Sequence, residues 1–592
     1  MNKILVLICF LCSSLLFSQS EQLSDDYFKR GEFEKALIGY KQLYQKNPSN
    51  NTYLFQLIQT YQQLRQYEEV HKLLTELIPI NENPQLLVEL GYNYQLQDSV
   101  EIARRYYNDA FEKINEDPNY VYGIGHQFEE HSLLDDAIKA YKKGMELNPN
   151  LNFNIHLAQI YGEQGNIEEM FSNYVDYIES KPAFLNNAKR TFSDFISENK
   201  ENENNLILKK LLLKKLQAQP DNYWYELLSW MFVQEKDYAK SFTQEKALYR
   251  RNPESLSQII ELAIMAHNEN QNNTASEIFN FVLETAQDID TKLLANQYLL
   301  DIEVEEANEK DYESIKKKYL DIFKTYGNYE QTLALQIAYG NFLAFYLKNP
   351  QEGSDFLKKS LELNISPFQE ASVKLKLGDI LVLQEKFNEA LIYYSQIQAN
   401  LKNSTISQEA RFKVAKTSYY KGDFEWAESQ LKILKSSTSQ LIANDALDLK
   451  LLISDNKYED SLHVALKLYA KADLMAFQNK TDEAINLLDQ ILTEHKGESI
   501  EDEALLKQAQ LFEKKKQYEK AVANYQSIIA NYPEEILADD ALYFLAELYN
   551  NELAEPEKAK DLYEKVIFEH EDSIYSVEAR KKFRMLRGDA IN

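Results

Sequence analysis

Glycine and proline are scarce in this chain. It contains 15 glycines and 12 prolines in 592 residues, so glycine makes up about 2.5% against a usual frequency near 7%. Sandwiches, propellers and glycine-looped nucleotide folds need many tight turns, which these two residues supply. Their scarcity argues against those folds. It predicts a nearly all-helical chain, with helix in more than about 70% of the ordered residues.

Cysteine is almost absent, and both copies lie in one N-terminal segment. Cys9 and Cys12 fall within the apolar run Ile4–Phe17, which follows a single positive charge and precedes small polar residues. This three-part pattern is typical of a secretory signal peptide, and we assign it to residues 1–18, with cleavage after Ser18 or Ser20. The run is too short for a comfortable membrane span, although an uncleaved anchor is the alternative.

The mature chain would then contain no cysteine. This excludes disulfides, a thiol nucleophile and a cysteine metal site. Lipidation is disfavoured too, because Cys12 lies in the middle of the apolar run rather than at its end. No other segment approaches 18 uninterrupted apolar residues, so no integral membrane span is expected after cleavage.

Positive charge is in deficit. The chain has 65 basic and 93 acidic residues, for a formal net charge of −28. Such a surface repels phosphate backbones and anionic headgroups, so nucleic acid and anionic lipid are disfavoured as general partners. The charge is spread along the chain, which is typical of the solvated faces of many amphipathic helices.

An internal repeat accounts for most of the remaining sequence. Its anchor positions are spaced by 33 or 34 residues, and they are Ala36, Val70, Ala103, Ala137 and Met170. An aromatic or apolar residue follows four positions after each anchor, and proline ends several copies, as at Pro48 and Pro149. Each copy reads as two helices joined by a short polar turn. One such pair cannot bury its apolar face alone, so the copies must stack.

This pattern resembles the tetratricopeptide repeat, in which a small residue of the first helix (here Gly91, Gly125 or Ala158) faces the second helix. The resemblance implies an all-α fold, an α–α superhelical solenoid of about 14–15 helix pairs. It also implies close contact at the anchor alanines, so Ala137 and Ala521 should be buried. Similar repeats with a longer period occur in envelope-associated proteins of Gram-negative bacteria.

The spacing of the repeats divides the chain into three arrays. Residues 19–182 keep the 34-residue period, residues 183–366 hold degenerate copies, and residues 367–592 have a period near 37, as between Ala484 and Ala521. A longer gap predicts an additional helix near residues 441–454. The final helix is basic and is expected to cap the array.

No residue pattern points to catalysis, a metal or a cofactor. His126 and His131 are five residues apart, which separates them on a helix, and Gly123-Ile-Gly125 lies inside a first helix rather than after a strand. Acidic pairs such as Asp135-Asp136 fall at helix starts, where they complement the helix dipole. The sequence therefore predicts a protein that is not an enzyme and that uses no cofactor.

Family resemblance places binding on the inner face of the first helices. In the N-terminal array this face would present a neutral, amide- and tyrosine-rich strip, formed by Gln59, Gln62, Tyr92, Gln95, His126, Glu129 and Gln159. Amides can pair with a peptide backbone as donors and acceptors, and tyrosines add contact area at low entropic cost. A strip that is merely solvated is the alternative. The tight period favours this strip over the middle of the chain.

A second inner strip is expected in the C-terminal array, with Phe412, Lys416 and Tyr419 as hydrophobic and basic members. The last helix carries five basic residues between Arg580 and Arg587. Cations near a helix C-terminus complement its dipole. Contact with an acidic partner or a membrane edge is the alternative.

Two functions fit these features. The first is an exported protein–protein interaction scaffold of the bacterial cell envelope that binds a partner protein or an extended peptide segment. The second is a periplasmic holdase-like chaperone for extended clients. The signal pattern predicts the periplasm, with peripheral association with the outer membrane left open. The sequence determines neither the partner nor the oligomeric state.

Overall fold

The computed structural model describes residues 21–434, 439–457 and 462–589. The predicted signal peptide, residues 1–18, lies outside these ranges. Helix accounts for 79% of the residues, and no strand occurs in the described ranges. The all-α prediction is confirmed. The described residues form two compact units, which divide between residues 252 and 253.

The described part of the first unit consists of seven consecutive helix pairs. In chain order its helices are α1 (21–29), α2 (Phe33–Lys46), α3 (Asn51–Gln63), α4 (Tyr67–Leu77), α5 (Gln85–Gln95), α6 (Val100–Glu116), α7 (Val121–Glu130), α8 (Leu134–Leu147), α9 (Asn154–Glu163), α10 (Ile167–Ser180), α11 (Leu185–Ser193), α12 (Glu203–Ala218), α13 (Asn222–Gln234) and α14 (Tyr238–Arg251).

The described part of the second unit consists of eight pairs and two single helices, α25 and α32. Its helices are α15 (Ser257–Asn268), α16 (Asn272–Thr285), α17 (Ile289–Glu306), α18 (Tyr312–Tyr326), α19 (Leu333–Phe345), α20 (Pro350–Ser360), α21 (Pro367–Leu383), α22 (Phe387–Asn400), α23 (Thr405–Lys421), α24 (Phe424–Leu434), α25 (Gln440–Asn456), α26 (Val464–Phe477), α27 (Thr481–Glu494), α28 (Glu501–Lys514), α29 (Tyr518–Asn531), α30 (Ala538–Asn551), α31 (Pro556–Glu569) and α32 (Ser576–Arg587).

One backbone turn recurs between the two helices of a pair. In thirteen of the fifteen described pairs, the turn contains one residue with a left-handed backbone, with φ between 52° and 83°. These residues are Gly31, Arg65, Asp98, Ser132, Gly165, Lys236, Asn270, Lys348, Glu385, Gly422, Asn479, Lys516 and Ala554. The next residue donates its N–H back across the turn, as Leu133 does to the Phe128 carbonyl at 2.8 Å. This is the usual hydrogen bond of a left-handed helix stop.

The anchor residue of each repeat lies five positions after the left-handed residue. Ala137 and Ala521 are fully buried, as predicted. The small residue of the first helix faces the second helix: a Cβ at Gly91 would lie 2.4 Å from a ring carbon of Tyr107. A Cβ at Gly378 would meet Tyr394 at the same distance. Glycine is required there because the tyrosine ring occupies the space of its side chain.

Several of the repeat tyrosines also donate hydrogen bonds to the first helix of their own pair. The Tyr40 hydroxyl donates to Asp25 at 2.6 Å, and the Tyr394 hydroxyl donates to Asp379 at 2.8 Å. Burial, followed by its bond to Asp25, raises the pKa of Tyr40 above its usual range, so the hydroxyl remains a donor at neutral pH. This arrangement places many of the 40 tyrosines in the core with a partner for their hydroxyl.

The array boundaries predicted at residues 182 and 366 mark changes in repeat spacing and stay predictions. Packing continues past residue 182, because α10 contacts α12 within the first unit. Helix α25 (Gln440–Asn456) lies between two pairs and has no partner of its own repeat. Its buried residues Leu449 and Ile453 pack into the same core as the repeats on either side. In the described part of the chain, no helix is both long and apolar enough to cross a membrane.

Candidate functional site

The first half of the N-terminal strip is largely engaged by the fold. Gln62 is buried, and its amide donates to the Glu89 carboxylate at 3.2 Å. The Gln95 side chain accepts a hydrogen bond from the Tyr107 hydroxyl at 2.9 Å. Tyr92 stacks on His131 with ring centroids 3.7 Å apart. Gln59 is partly exposed. The expectation that Gln62 lines an open groove is wrong, because its side chain is buried and its amide donates to the buried Glu89 carboxylate.

That acceptor belongs to a polar network inside the first unit. Glu89 is fully buried on α5, and one of its oxygens receives the Gln127 amide at 2.5 Å. The same oxygen lies 2.8 Å from Nε2 of His131. A buried carboxylate needs such partners, because leaving it without them costs several kcal/mol, about 3–5 for a stranded buried charge. The network fixes α3, α5 and α7 relative to one another and is structural.

The second half of the strip is more open. Gln159 is exposed on α9, and His126 is partly exposed beside Glu130, at 3.9 Å. The Glu129 carboxylate is partly buried and lies 3.9 Å from the His156 ring. Gln59, His126 and Gln159 thus keep surface that a partner could contact. The strip as a binding surface stays a prediction.

In the C-terminal strip, the structure separates the two predicted residues. Phe412 is partly exposed, whereas Tyr419 is fully buried among the helices of its own array. Tyr419 therefore offers no surface to a partner, and its assignment to the groove is wrong. The cause is α26, which packs on α23 and is separated from it in sequence by α24 and α25.

The basic character expected for this strip is also wrong. Lys416 donates to Asp473 at 2.6 Å, and Lys507 reaches the other oxygen of the same carboxylate at 2.8 Å. Burial would raise the pKa of Asp473, but the two ammonium groups outweigh it and hold that pKa below its ordinary value. The three side chains join α23, α26 and α28, so the lysines are neutralised rather than presented.

A groove of about 600 Å³ opens beside this clamp. Its lining comes from α23, α25, α26, α28 and α30 and from the loops that precede α28, α30 and α32. We call it the acidic groove. Ten carboxyl side chains line it against two lysines, and they are Asp445, Asp448, Asp455, Asp473, Asp502, Glu503, Glu535, Asp539, Asp540 and Asp572.

Apolar side chains share the lining of the acidic groove. Phe412, Leu449 and Leu506 contribute from three helices, and Ile536 and Ile574 lie in the loops before α30 and α32. Both isoleucines are strongly exposed, at 63% and 82% of their surface. A groove with apolar walls and convergent charged groups has the chemistry of a binding site.

Like charges perturb the carboxyls of this groove. Burial, followed by the neighbouring Asp445 carboxylate, raises the pKa of Asp448. Burial also raises the pKa of Asp540 to about 6, with further contributions from Asp539 and Asp448, although the Tyr575 hydroxyl donates to it at 2.9 Å. Burial and the adjacent Asp502 carboxyl raise the pKa of Glu503 well above its usual range. These shifts favour the protonated forms of the three carboxyls, and the remaining carboxylates of the groove still outnumber its two lysines.

The basic last helix contributes less free charge than its sequence suggests. Lys582 donates to both oxygens of Glu547, at 2.6 and 2.5 Å, and ties α32 to α30. Arg587 pairs with Asp589 just beyond the helix end. These contacts fit the predicted capping role. Within the described ranges, no group of three histidine, cysteine or acidic residues has an arrangement that could hold a metal ion.

The acidic residues of α25 are part of the groove but were not predicted from the sequence. Asp445, Asp448 and Asp455 are spaced by three and seven residues, which places them within about 80° of one another on a helix. That spacing predicts that the three carboxylates share one face of the helix. It did not identify the helices that this face meets, because they come from repeats on both sides of α25 in the chain.

Comparison with known proteins identifies the repeat. Residues 503–535, which cover most of α28, all of α29 and the loop after it, match the tetratricopeptide repeat family model. This match identifies one tetratricopeptide repeat in the chain, and the consecutive helix pairs of the described residues have the helix–turn–helix arrangement of such repeats. No curated protein matches the chain.

Two solved structures are similar to the chain at low identity. One is the crystal structure of the APC/C hetero-tetramer Cut9-Hcn1, with 13% identity over 89% of this chain and 96% of that chain, and a TM-score of 0.27. The other is the structure of Naa15/Naa10 bound to HypK-THB, with 12% identity over 97% of this chain and 94% of that chain, and a TM-score of 0.26.

Proposed function

We propose that this protein is an exported, non-catalytic scaffold that binds a partner protein through the face formed by the first helices of its repeats. The acidic groove carries this proposal. It is lined by successive first helices, it combines apolar walls with charged groups, and it is open to solvent. Repeat arrays use such extended surfaces to hold partner segments.

Export is the second part of the proposal, and its support is the N-terminal pattern alone. A positive residue, an apolar run from Ile4 to Phe17 and small polar residues form the signal. The proposed compartment is the periplasm of the bacterial cell envelope. Intact mass measurement on protein purified from the native host tests this step. Loss of residues 1–18 or 1–20 is the expected result, and a full-length mass would contradict export through a cleaved signal.

A crosslinking capture experiment tests the scaffold itself. Full-length tagged protein is crosslinked in native envelopes, and the captured proteins are quantified by mass spectrometry. A scaffold is expected to retain one partner in a fixed stoichiometry. Capture of many unrelated unfolded proteins, together with slower aggregation of a denatured test protein, would favour the holdase-like chaperone instead.

A matched variant distinguishes the two candidate surfaces in the same experiment. Replacing Gln59, His126 and Gln159 by Ala removes the three accessible members of the N-terminal strip and is expected to leave folding intact. If the acidic groove holds the partner, this variant retains capture. Loss of capture at least tenfold, with an unchanged circular dichroism spectrum, would move the binding surface to the N-terminal strip.

A further inference from the structure

We infer that the acidic groove recognises a short basic segment of a partner protein, in which lysine or arginine side chains flank an aliphatic or aromatic residue. The inference rests on the proposed scaffold function and names the chemistry of the partner. It begins with the charges. The side chains of Asp445, Asp448 and Asp539 form no ion pair or hydrogen bond with any other residue of the described ranges.

These carboxylates are held close together although they repel one another. Burial and the Asp445 carboxylate raise the pKa of Asp448. Burial, followed by the carboxylates of Asp539 and Asp448, raises the pKa of Asp540. Like charges at close range destabilise a fold, and natural proteins keep such features mainly at functional sites. A bound cation would relieve this repulsion, so the groove is complementary to positive charge.

The cations of the fold do not supply that charge. Lys416 and Lys507 both line the groove, but Asp473 engages them at 2.6 and 2.8 Å. Each forms a short ion pair, and together they hold α23 and α28 against α26. A ligand that brings its own positive groups therefore meets the unpaired carboxylates of α25 and α30 rather than a neutral surface.

The volume of the groove and its apolar lining indicate which kind of cationic ligand fits it. A volume of about 600 Å³ corresponds to roughly 20 water molecules, which is far more than a metal ion occupies. Leu449, Leu506 and the exposed Ile536 and Ile574 offer apolar contact between the charged groups. A chain segment with both basic and apolar side chains satisfies the two kinds of lining, whereas a small hydrophilic cation uses only one.

The non-repeating helix makes this groove specific to one place in the chain. Helix α25 contributes Asp445, Asp448 and Asp455 on one face. It is anchored to α28 by Asn456, whose amide donates to Glu503 at 3.0 Å. The wall opposite the first helices is thus supplied by an element that has no counterpart in the other described repeats.

The first test measures peptide binding to the full-length chain. The probe is a fluorescein-labelled ten-residue peptide of alternating lysine and leucine, followed by fluorescence anisotropy at low and at physiological salt. Peptides of alternating glutamate and leucine, and of alternating lysine and serine, serve as controls for charge and for apolar contact. The lysine–leucine peptide is expected to bind at least tenfold more tightly than either control. Equal binding of the lysine–serine peptide would overturn the apolar part of the inference.

A charge-matched pair of variants locates the site. The groove variant carries Asp445→Asn, Asp448→Asn and Asp539→Asn. The control variant removes three carboxylates from the outer helices α27 and α31, as Asp482→Asn, Glu557→Gln and Asp561→Asn. The groove variant is expected to bind the lysine–leucine peptide at least tenfold more weakly, and the control less than twofold. Equal weakening in both variants would overturn the inference, because only net charge would then matter.

The same two variants separate this inference from the proposed function. If the wild-type chain captures one partner from envelopes and the groove variant loses it, both stand. If the groove variant still captures that partner, the scaffold function stands and the basic-segment inference is overturned. If neither chain captures a partner, the scaffold proposal fails. Sedimentation of the wild type as a dimer and of the groove variant as a monomer would instead identify a second copy of this chain as the occupant.

Discussion

Asp473 is the residue whose loss should damage the C-terminal array most clearly. Its carboxylate is buried on α26 and accepts Lys416 from α23 and Lys507 from α28. Replacement by Asn keeps the shape of the side chain and removes the charge, so both ammonium groups lose their counter-ion. A buried charge stranded in this way costs about 3–5 kcal/mol.

The structure reduces this figure somewhat. About 30% of the Lys416 side chain and 27% of the Lys507 side chain are exposed, so water can solvate part of each stranded ammonium group. We therefore expect Asp473→Asn to lower the free energy of unfolding by about 2–4 kcal/mol. Amide hydrogen exchange in α23, α26 and α28 measures this locally, and protection there should fall roughly 30- to 1,000-fold, at tenfold for each 1.4 kcal/mol.

The pH dependence of stability is an independent test of the role of Asp473. The pKa of Asp473 in the folded chain lies below its ordinary value. Its carboxylate thus contributes stability above a pH of about 4, and that stability is lost as pH falls through the folded pKa. The difference in stability between wild type and Asp473→Asn should shrink on acidification.

Asp482→Asn is the matched control, because Asp482 pairs with Lys515 while 75% of its side chain is exposed. An exposed pair contributes only about 0–1 kcal/mol. Replacing all three clamp residues by apolar ones, as Lys416→Met, Asp473→Leu and Lys507→Met, should recover much of the loss. Unchanged exchange protection in Asp473→Asn would refute the view that this carboxylate holds the three helices together.

Three further outcomes follow from the repeat geometry and from the groove. Gly165 has a φ of 72° with open space around it, so Gly165→Ala should lower the stability in thermal unfolding by about 1 kcal/mol. Ala554 has a φ of 53°, so Ala554→Gly should raise the stability by about 0.5–1 kcal/mol. Ala521→Leu should cost roughly 1–3 kcal/mol by overpacking, while the exposed Ala523→Leu on the same helix should leave the melting temperature nearly unchanged. Because the pKa of Asp540 is raised to about 6, the folded chain binds its proton more tightly, so the contribution of Asp540 to urea-unfolding stability should fall by about 1–2 kcal/mol as pH rises from 4 to 6. The difference in stability between wild type and Asp540→Asn should change by that amount over this range, and a constant difference would contradict the assignment.

The sequence predicts the fold well because the repeat is a local pattern. The anchor Ala521 and Tyr525, four positions later, lie on one helix, and the same spacing joins the anchor to an aromatic or aliphatic residue in most copies. The left-handed turn residues are less visible. Glycine at positions 31 and 165 is a sequence signal of a left-handed backbone. Arg65 and Lys516 adopt the same positive φ, although their side chains do not favour it. The helix stop is imposed there by the packing of the pair.

The candidate site was less predictable, because it depends on contacts between distant parts of the chain. Lys416 looks like a free cation in the sequence, and its partner Asp473 lies 57 residues away, beyond α24 and α25. Tyr419 looks like a surface aromatic for the same reason. The position of α26 against α23 is a property of the assembled array, which local periodicity does not specify.

The distribution of acidic partners explains why the groove is the place to expect binding. Two acidic residues on first helices of the repeats are bound by the fold: Asp379 accepts hydrogen bonds from Tyr394 and Lys413, and Glu547 accepts them from Tyr563 and Lys582. These bonds link the two helices of one repeat and then reach the next first helix, so each carboxylate is neutralised where it stands. The acidic residues Asp445 and Asp448 lie on the one internal helix of the described array that belongs to no repeat, and they have no such partners among the described residues. The partners of Asp379 and Glu547 come from equivalent positions of neighbouring helices, and α25 lies outside that repeating arrangement. The charge that α25 leaves unmatched is therefore available to a partner, and it is concentrated where the groove also offers apolar contact.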